Sequence, residues 1–377
     1  MTARLGLGLI GSGFMGRSHM FAFTMAPRLF DLEVELRLAV LADSTPEKAA
    51  AMAARFGFHR AARDWRELVE DPEVDIVAIT APHEFHVEMA RAALEAGKHV
   101  FCEKPLAPDY RQARELAELG ARAGVVSGVG FNYQKHPLVQ TARRLIAQGE
   151  LGEPWSVRGI HAEDFMADPE RPWDWRLDPA GTPGAIGDLG SHITSMVRYL
   201  VGDIRELAAD ASTLIRTRPD SERGGLREVT VPDECRMLVR FAGGAVGSLE
   251  ANWLHTGRKL YLSVEIAGSE GALALNFERM NEMRLYLKRC RAPGREGFIE
   301  IPAGPDHPDY AAFVPAPGHH LGFNEMKTIE VKYLLEAIIQ NRPFHPDFAD
   351  AARTQQVLDA ACLAARERRW VQVAEIA

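Results

Sequence analysis

The chain has little cysteine, no long apolar run and no concentration of basic charge. Its four cysteines, Cys102, Cys235, Cys290 and Cys362, lie far apart with no CxxC pairing. That spacing argues against a disulfide framework and a zinc knuckle, and leaves reduced structural thiols. No apolar stretch approaches the ~20 residues needed to cross a bilayer. The first one, Leu5–Ile10, is too short for the core of a secretion signal and runs straight into glycines. A net charge of −8 with scattered Lys and Arg provides no stripe to neutralise phosphates, which excludes a nucleic-acid partner. Internal repeats and low-complexity tracts are also lacking. What is left is a cytoplasmic globular protein whose 377 residues divide into about two domains.

The first part alternates short β-like runs with helical stretches. Leu5–Ile10, Leu36–Ala42, Val74–Thr80, His99–Cys102 and Val125–Phe131 read as strands, and Pro46–Phe56, Phe85–Ala96 and Tyr110–Ala123 as helices. Asp109 is placed to cap the last of these helices. Such alternation predicts a doubly wound parallel sheet over residues 1–125, because each parallel return needs a crossover helix. After residue 126 the pattern changes. A helix at Ile186–Leu200 precedes consecutive strand-like runs from Ala208 to Leu287, which favours an α+β domain with a large, mostly antiparallel open sheet. Gly294–Gly318 reads as a long loop, and helices are expected at Glu325–Gln340 and Ala349–Arg368.

The strongest local signal is Gly11-Ser12-Gly13-Phe14-Met15-Gly16, a G-x-G-x-x-G directly after a strand and ahead of a helix. The first glycine permits the tight turn, the second lets a pyrophosphate approach the backbone, and the third lets helix and strand pack closely. Asp43, at the end of the second strand, is placed to accept hydrogen bonds from ribose hydroxyls and to repel a 2′-phosphate. Ser44 and Thr45 follow it with no arginine, so NAD is favoured over NADP. Asp43 or Thr45 also stands where the next helix needs a cap. Glu103-Lys104-Pro105 leaves the carboxyl end of a parallel strand, where ligands of such sheets collect. Thr80, His83 and His86 leave another strand end, where either histidine faces the cofactor or simply packs.

A second constellation runs from Gly184 to His192. Asp188 and His192 are four apart, so one continuous helix would put them on one face. A histidine beside a carboxylate makes a base near neutral pH, suited to taking a hydroxyl proton. The preceding Trp173-Asp174-Trp175-Arg176 segment carries rings that stack on sugars and a forked donor. His161 at a strand end and His320 ahead of a helix are further polar candidates for the same cleft. None of the histidine clusters has metal-ligand spacing, so no metal is expected.

In their order, Gly11–Gly16, Glu103-Lys104-Pro105 and Asp188-Leu189-Gly190-Ser191-His192 resemble the three signatures of the Gfo/Idh/MocA oxidoreductases, over nearly the whole chain. The resemblance implies a Rossmann domain followed by an α/β domain whose sheet builds homodimers or homotetramers, with the final helix, about 349–368, packing back on the Rossmann domain. Gly-Phe-Asn-Tyr at 130–133 and the Trp-Asp-Trp-Arg segment are most similar to the inositol, levoglucosan and glucoside 3-dehydrogenase branch. His192 would then be the base on a sugar or cyclitol hydroxyl, Lys104 would polarise its oxygen, and Asp188 would orient His192. Asn132 and Arg176 would join the cofactor contacts, and Trp175, Arg176, His161 and His320 those to substrate. His83, where the family often has asparagine, and Gln134, where a basic residue is frequent, depart from the pattern. Two other outcomes share these motifs. One is an NAD-dependent glycosidase that oxidises C3 transiently and returns the hydride, and the other is a non-catalytic dinucleotide sensor.

Overall fold

The computed structural model describes residues 3–377. Its contacts divide into two units, one formed by the chain through Lys135 with Leu321–Arg353, the other by His136–His320 with Thr354–Ala377.

The first unit opens with β1 (Ala3–Ile10), α1 (Phe14–Leu29), β2 (Val34–Ala42), α2 (Pro46–Phe56), β3 (Arg60–Ala61) and α3 (Trp65–Glu70). It continues with β4 (Ile76–Ile79), α4 (His86–Glu95), β5 (His99–Glu103), α5 (Tyr110–Ala123) and β6 (Ser127–Gly130). The strands form one parallel sheet in the order β3-β2-β1-β4-β5-β6, the doubly wound arrangement expected. Helices cover both faces, so the central strands are apolar without alternation: Leu7, Leu9, Val77 and Ile79 are all fully buried. Helix starts follow local chemistry. The Thr45 hydroxyl accepts from Lys48 N–H at 3.2 Å and the Asp109 carboxylate from Gln112 N–H at 2.8 Å. Thr45 thus caps α2, and Asp43 is left for other work.

The second unit holds α6 (Pro137–Ala147), β7 (Pro154–Ala162), α7 (Gly184–Asp188) and α8 (Gly190–Val201). Its strands β8 (Ile204–Ser212), β9 (Thr217–Pro219), β10 (Leu226–Glu228), β11 (Glu234–Phe241) and β12 (Val246–Asn252) come next. β13 (Tyr261–Gly268), β14 (Gly271–Asn276), β15 (Glu282–Leu287) and β16 (Ile299–Pro302) complete this run. The chain then forms α9 (Phe323–Ile339), which belongs to the first unit, α10 (Phe348–Glu367) and β17 (Val371–Gln372). Nine strands pair in the order β16-β15-β14-β13-β7-β12-β11-β8-β17, antiparallel except for β7 beside β12. β16 lies inside the stretch expected to be loop. Its Ile-Glu-Ile-Pro is too short and too exposed to carry a burial pattern. Helix α8 lies against β7, where a Cβ on Gly159 would come within 2.8 Å of Ile193 Cδ1. That close approach explains why the helix is buried almost all round.

Candidate active site

In the first unit the glycine loop does what its three glycines predict. Gly11 adopts φ +91°, a left-handed conformation that favours glycine. A Cβ on Gly16 would sit 2.2 Å from Gly11 O, so helix and strand can approach only without it. A Cβ on Gly13 would meet nothing within 4 Å, which leaves room above the loop for a ligand. The first turn of α1 has no side-chain cap, so its N–H groups and the helix dipole are available to an anion. Past the end of β6, Asn132 is buried with its Nδ2 lacking a hydrogen-bond partner. These features fit NAD. The loop and α1 would hold the pyrophosphate, with Phe14, Met15 and Asp43 around it, and Asn132 would meet the cofactor further along the sheet, past β6. Phe14 is 63% exposed and its ring centroid lies 5.3 Å from that of Phe323.

Asp43 is already organised towards the loop. Its Oδ2 accepts from Ser12 N–H at 2.8 Å and from the Ser12 hydroxyl, and its Oδ1 from Ser44 N–H at 2.7 Å. Lys48 Nζ pairs with Oδ1 at 2.7 Å. Burial opposes ionisation, but the bonds from Lys48, Ser12 and Ser44 outweigh it and hold this carboxyl below its ordinary range. Thr80 donates its hydroxyl to Ile10 O and Gly11 O, both at 2.9 Å, tying the end of β4 to the glycine turn.

Two candidates turn inward. The His86 ring faces Pro105 O at 2.8 Å and Ala81 O at 2.9 Å, and burial keeps its pKa below normal. It braces the loops after β4 and β5 and offers no nitrogen to a cofactor. Glu103 also points into the core, towards α1 and α9. Its Oε1 accepts from His19 Nε2 at 2.7 Å and from Lys327 Nζ at 2.8 Å in a buried cluster. For His86 the packing alternative thus describes its ring, and the Glu103 side chain is engaged in the core; the sequence does not say which way either side chain faces. His83 is buried, and Lys104 is half-buried on the turn that follows β5.

In the second unit the expected single helix breaks at Leu189, between α7 and α8. Asp188 and His192 therefore end one helix and open the next. Leu189 O accepts from His192 N–H at 3.2 Å, while His161 Nδ1 also lies 3.2 Å from it. His161 Nε2 lies 3.1 Å from Glu163 Oε1, and the His161 and His192 ring centroids are 5.4 Å apart. Asp188 Oδ2 accepts from Arg176 Nε at 3.2 Å, and the Arg176 guanidinium lies 4.2 Å from the Trp175 ring centroid. The structure thus brings Trp175, Arg176 and Asp188 into one chain of contacts and His161 and His192 into another. It leaves His320 exposed on the loop before α9. His192 Nδ1 is buried.

Residues 5–131 match the oxidoreductase family with an NAD-binding Rossmann fold, and residues 139–274 match the GFO/IDH/MocA C-terminal domain. Levoglucosan dehydrogenase from Pseudarthrobacter phenanthrenivorans is 38% identical over 99% of both chains. The chain belongs to the Gfo/Idh/MocA oxidoreductase family. Among solved structures, a levoglucosan dehydrogenase in complex with NADH and levoglucosan superposes with a TM-score of 0.95 at 37% identity, covering 98% of this chain and 99% of that one. An NAD-binding oxidoreductase from Klebsiella pneumoniae gives the same TM-score at 42% identity, with the same coverage of 98% and 99%.

Several residues that support these elements carry no local signal in the chain. Arg218, fully buried, donates to Asp168 O at 2.6 Å and Met166 O at 2.5 Å, which pins the loop leading to Trp175. Asp233 accepts from Trp253 Nε1 at 2.7 Å beneath the same loop. Lys327 and Glu330 complete the charge cluster around Glu103, and their i, i+3 spacing resembles an ordinary surface pair.

Proposed function

We propose that this protein is an NAD-dependent dehydrogenase of a pyranose or anhydrosugar of the levoglucosan type, oxidising one secondary alcohol to a ketone. The full-length likeness to a levoglucosan dehydrogenase carries the substrate class. Bound NAD supplies the hydride acceptor for the carbinol carbon. The chain supplies the rest. His192 Nε2 takes the hydroxyl proton as general base, and the Lys104 ammonium polarises the same oxygen as its C–O bond gains double-bond character. Asp188, held by Arg176, accepts a neighbouring hydroxyl and fixes the sugar ring, while Trp175 offers an apolar ring face to the C–H side of the sugar. His161 steadies the junction that sets the start of α8. The net reaction converts CH–OH and NAD⁺ to C=O, NADH and one proton.

Such an enzyme draws on the cytoplasmic NAD pool. It is also a homodimer or homotetramer built on the open face of the nine-stranded sheet. On that face charges of opposite sign stand opposite one another, Arg158 with Glu265 and Arg236 with Glu250, around the exposed Leu238. Light scattering reads the assembly, and Leu238→Glu shifts it towards monomer.

The reaction is tested by following NADH formation with levoglucosan, aldopyranoses and inositols while assaying for any freed aglycone. Turnover is expected with at least one sugar and without aglycone release. His192→Ala and Lys104→Ala should each lower kcat about 10²- to 10⁴-fold with NAD still bound. NAD binding without turnover on any of these alcohols, or near-normal rates in both variants, would falsify the reading.

A further inference from the structure

Between α1, β5 and α9 of the first unit lies a group of ionisable side chains that the proposed chemistry does not use. His19 on α1, Glu103 at the end of β5, and Lys327 and Glu330 on α9 form one chain. His19 Nε2 lies 2.7 Å from Glu103 Oε1, Lys327 Nζ is 2.8 Å from the same oxygen, and Lys327 Nζ is 2.6 Å from Glu330 Oε2. The Lys327 and Glu330 side chains are 0% exposed, and that of Glu103 is 9% exposed. Burying four such groups is unfavourable unless they are paired, and an apolar cluster of the same volume would hold the fold as well or better. Fold stability alone therefore does not account for the arrangement.

What the cluster contacts suggests its use. The residue after Glu103 is Lys104. The Glu103 side chain, turned towards α1 and α9, is the last fixed point of β5 before that turn. On the neighbouring strand Glu103 stands opposite Gly130, where a Cβ would lie 2.6 Å from Glu103 Oε1 and 3.0 Å from Lys327 Nζ. Glycine there leaves the volume that the ion pair fills. Helix α9 is itself anchored to the nucleotide loop's helix, with Phe323 against Phe14 and the Ser18 hydroxyl donating to Asn324 Oδ1 at 2.9 Å. One helix therefore ties the start of α1 to the end of β5. The charge states agree with this geometry. Burial would lift the Glu103 carboxyl, but Lys327 and His19 hold it well below its usual range, so Glu103 stays ionised.

We propose that Lys327 is a positioning residue for the reaction: it clamps the Glu103 carboxylate and thereby fixes the turn on which Lys104 approaches the substrate oxygen. The proposal rests on the reading that Lys104 acts at that oxygen.

The test is a double-mutant cycle between Lys327→Met and Lys104→Ala, with kcat, sugar KM, NAD dissociation constant and melting temperature measured on all four proteins. Lys327→Met is expected to lower kcat at least tenfold in the wild-type background while KM and NAD affinity move less than threefold. In the Lys104→Ala background it should lower kcat less than twofold, although the melting temperature falls equally in both. A structural role would reduce kcat to the same degree in both backgrounds, and that result overturns the proposal, as does an unchanged kcat in Lys327→Met. If Lys104→Ala itself retains kcat, the reading of Lys104 fails first and takes this proposal with it. Should Lys327→Met not fold, Gly130→Ala replaces it in the cycle. It keeps every charge but displaces the pair, and the same non-additivity is expected at about threefold in kcat.

Discussion

The two units organise their polar groups in opposite ways. In the nucleotide-binding unit nearly every candidate is tied to a neighbour: Asp43 to Ser12 and Lys48, Thr80 to the β1 carbonyls, His86 to Ala81 and Pro105, Glu103 to Lys327. What that unit keeps available is backbone, namely the first turn of α1 above Gly13. In the second unit the available groups are side chains, and the Arg176–Asp188 pair that presents them is partly exposed. A cofactor common to many enzymes can be held by a rigid cradle of main-chain donors. A particular sugar needs side chains that can be exchanged without disturbing the sheet below.

The sharpest break in this comparison is expected within the glycine loop. Gly16→Ala places a Cβ 2.2 Å from a backbone oxygen that cannot move freely. Such overpacking costs about 3 kcal/mol or more, so the variant should melt early and bind no NAD. Gly13→Ala adds the same methyl group to open space. Its melting temperature should match the wild type, while its NAD dissociation constant rises about tenfold or more, at least ~1.4 kcal/mol. If calorimetry and NAD titration show both variants behaving alike, the cradle does not separate packing from binding as described.

In the second unit the expected effect is smaller and of another kind. Arg176→Ala releases Asp188, but a pair this exposed adds at most about 1 kcal/mol to stability. The melting temperature should stay put while sugar KM rises about tenfold, the loss of one charge-assisted hydrogen bond's worth of orientation. NAD affinity should change little. An Arg176→Ala enzyme that loses NAD binding and keeps its sugar KM would assign that side chain to the cofactor.

The same contrast explains what could be read from the chain. The strand–loop–helix around Gly11–Gly16 is contiguous, so spacing, turn chemistry and helix start reinforce one another within a few residues, and its geometry came out as predicted. Asp188 and His192 were legible as four residues apart near a helix start, but the junction between α7 and α8 was not. At the junction the Leu189 carbonyl also meets His161 on β7, a contact between residues 28 positions apart that no local pattern announces. Lys327 was illegible for a different reason. In Phe323–Ile339 a Lys and a Glu three residues apart look like solvent-facing partners, and only the packing of α9 against α1 buries them. The inward direction of the Glu103 and His86 side chains was not legible because the last residue of β5 and the first of α4 sit where the chain leaves the sheet, and no pattern of period two extends far enough to fix it.

The subtlest expected difference lies in how the two units respond to pH. In the first, burial pushes Glu330 up to about 7 despite Lys327 beside it. Its folded pKa lies above the usual carboxylate value, so its contribution to stability is full below about pH 4.5 and is lost as pH rises towards 7. In the second, burial takes His136, whose Nδ1 caps α6 by accepting from Leu138 N–H, down to about 3. That contribution is full above about 6.5 and is lost as pH falls towards 3, because protonation both charges a buried ring and removes the cap. Each group changes stability by at most about 1.4 kcal/mol per pH unit, a shift of one or two degrees in melting temperature. Glu330→Gln should flatten the decline between pH 4.5 and 7, and His136→Gln the decline below 6.5. Each substitution should leave the other limb as it was. If one substitution flattened both limbs, the units would not titrate independently, and the separation drawn between them would fail at its electrostatic root.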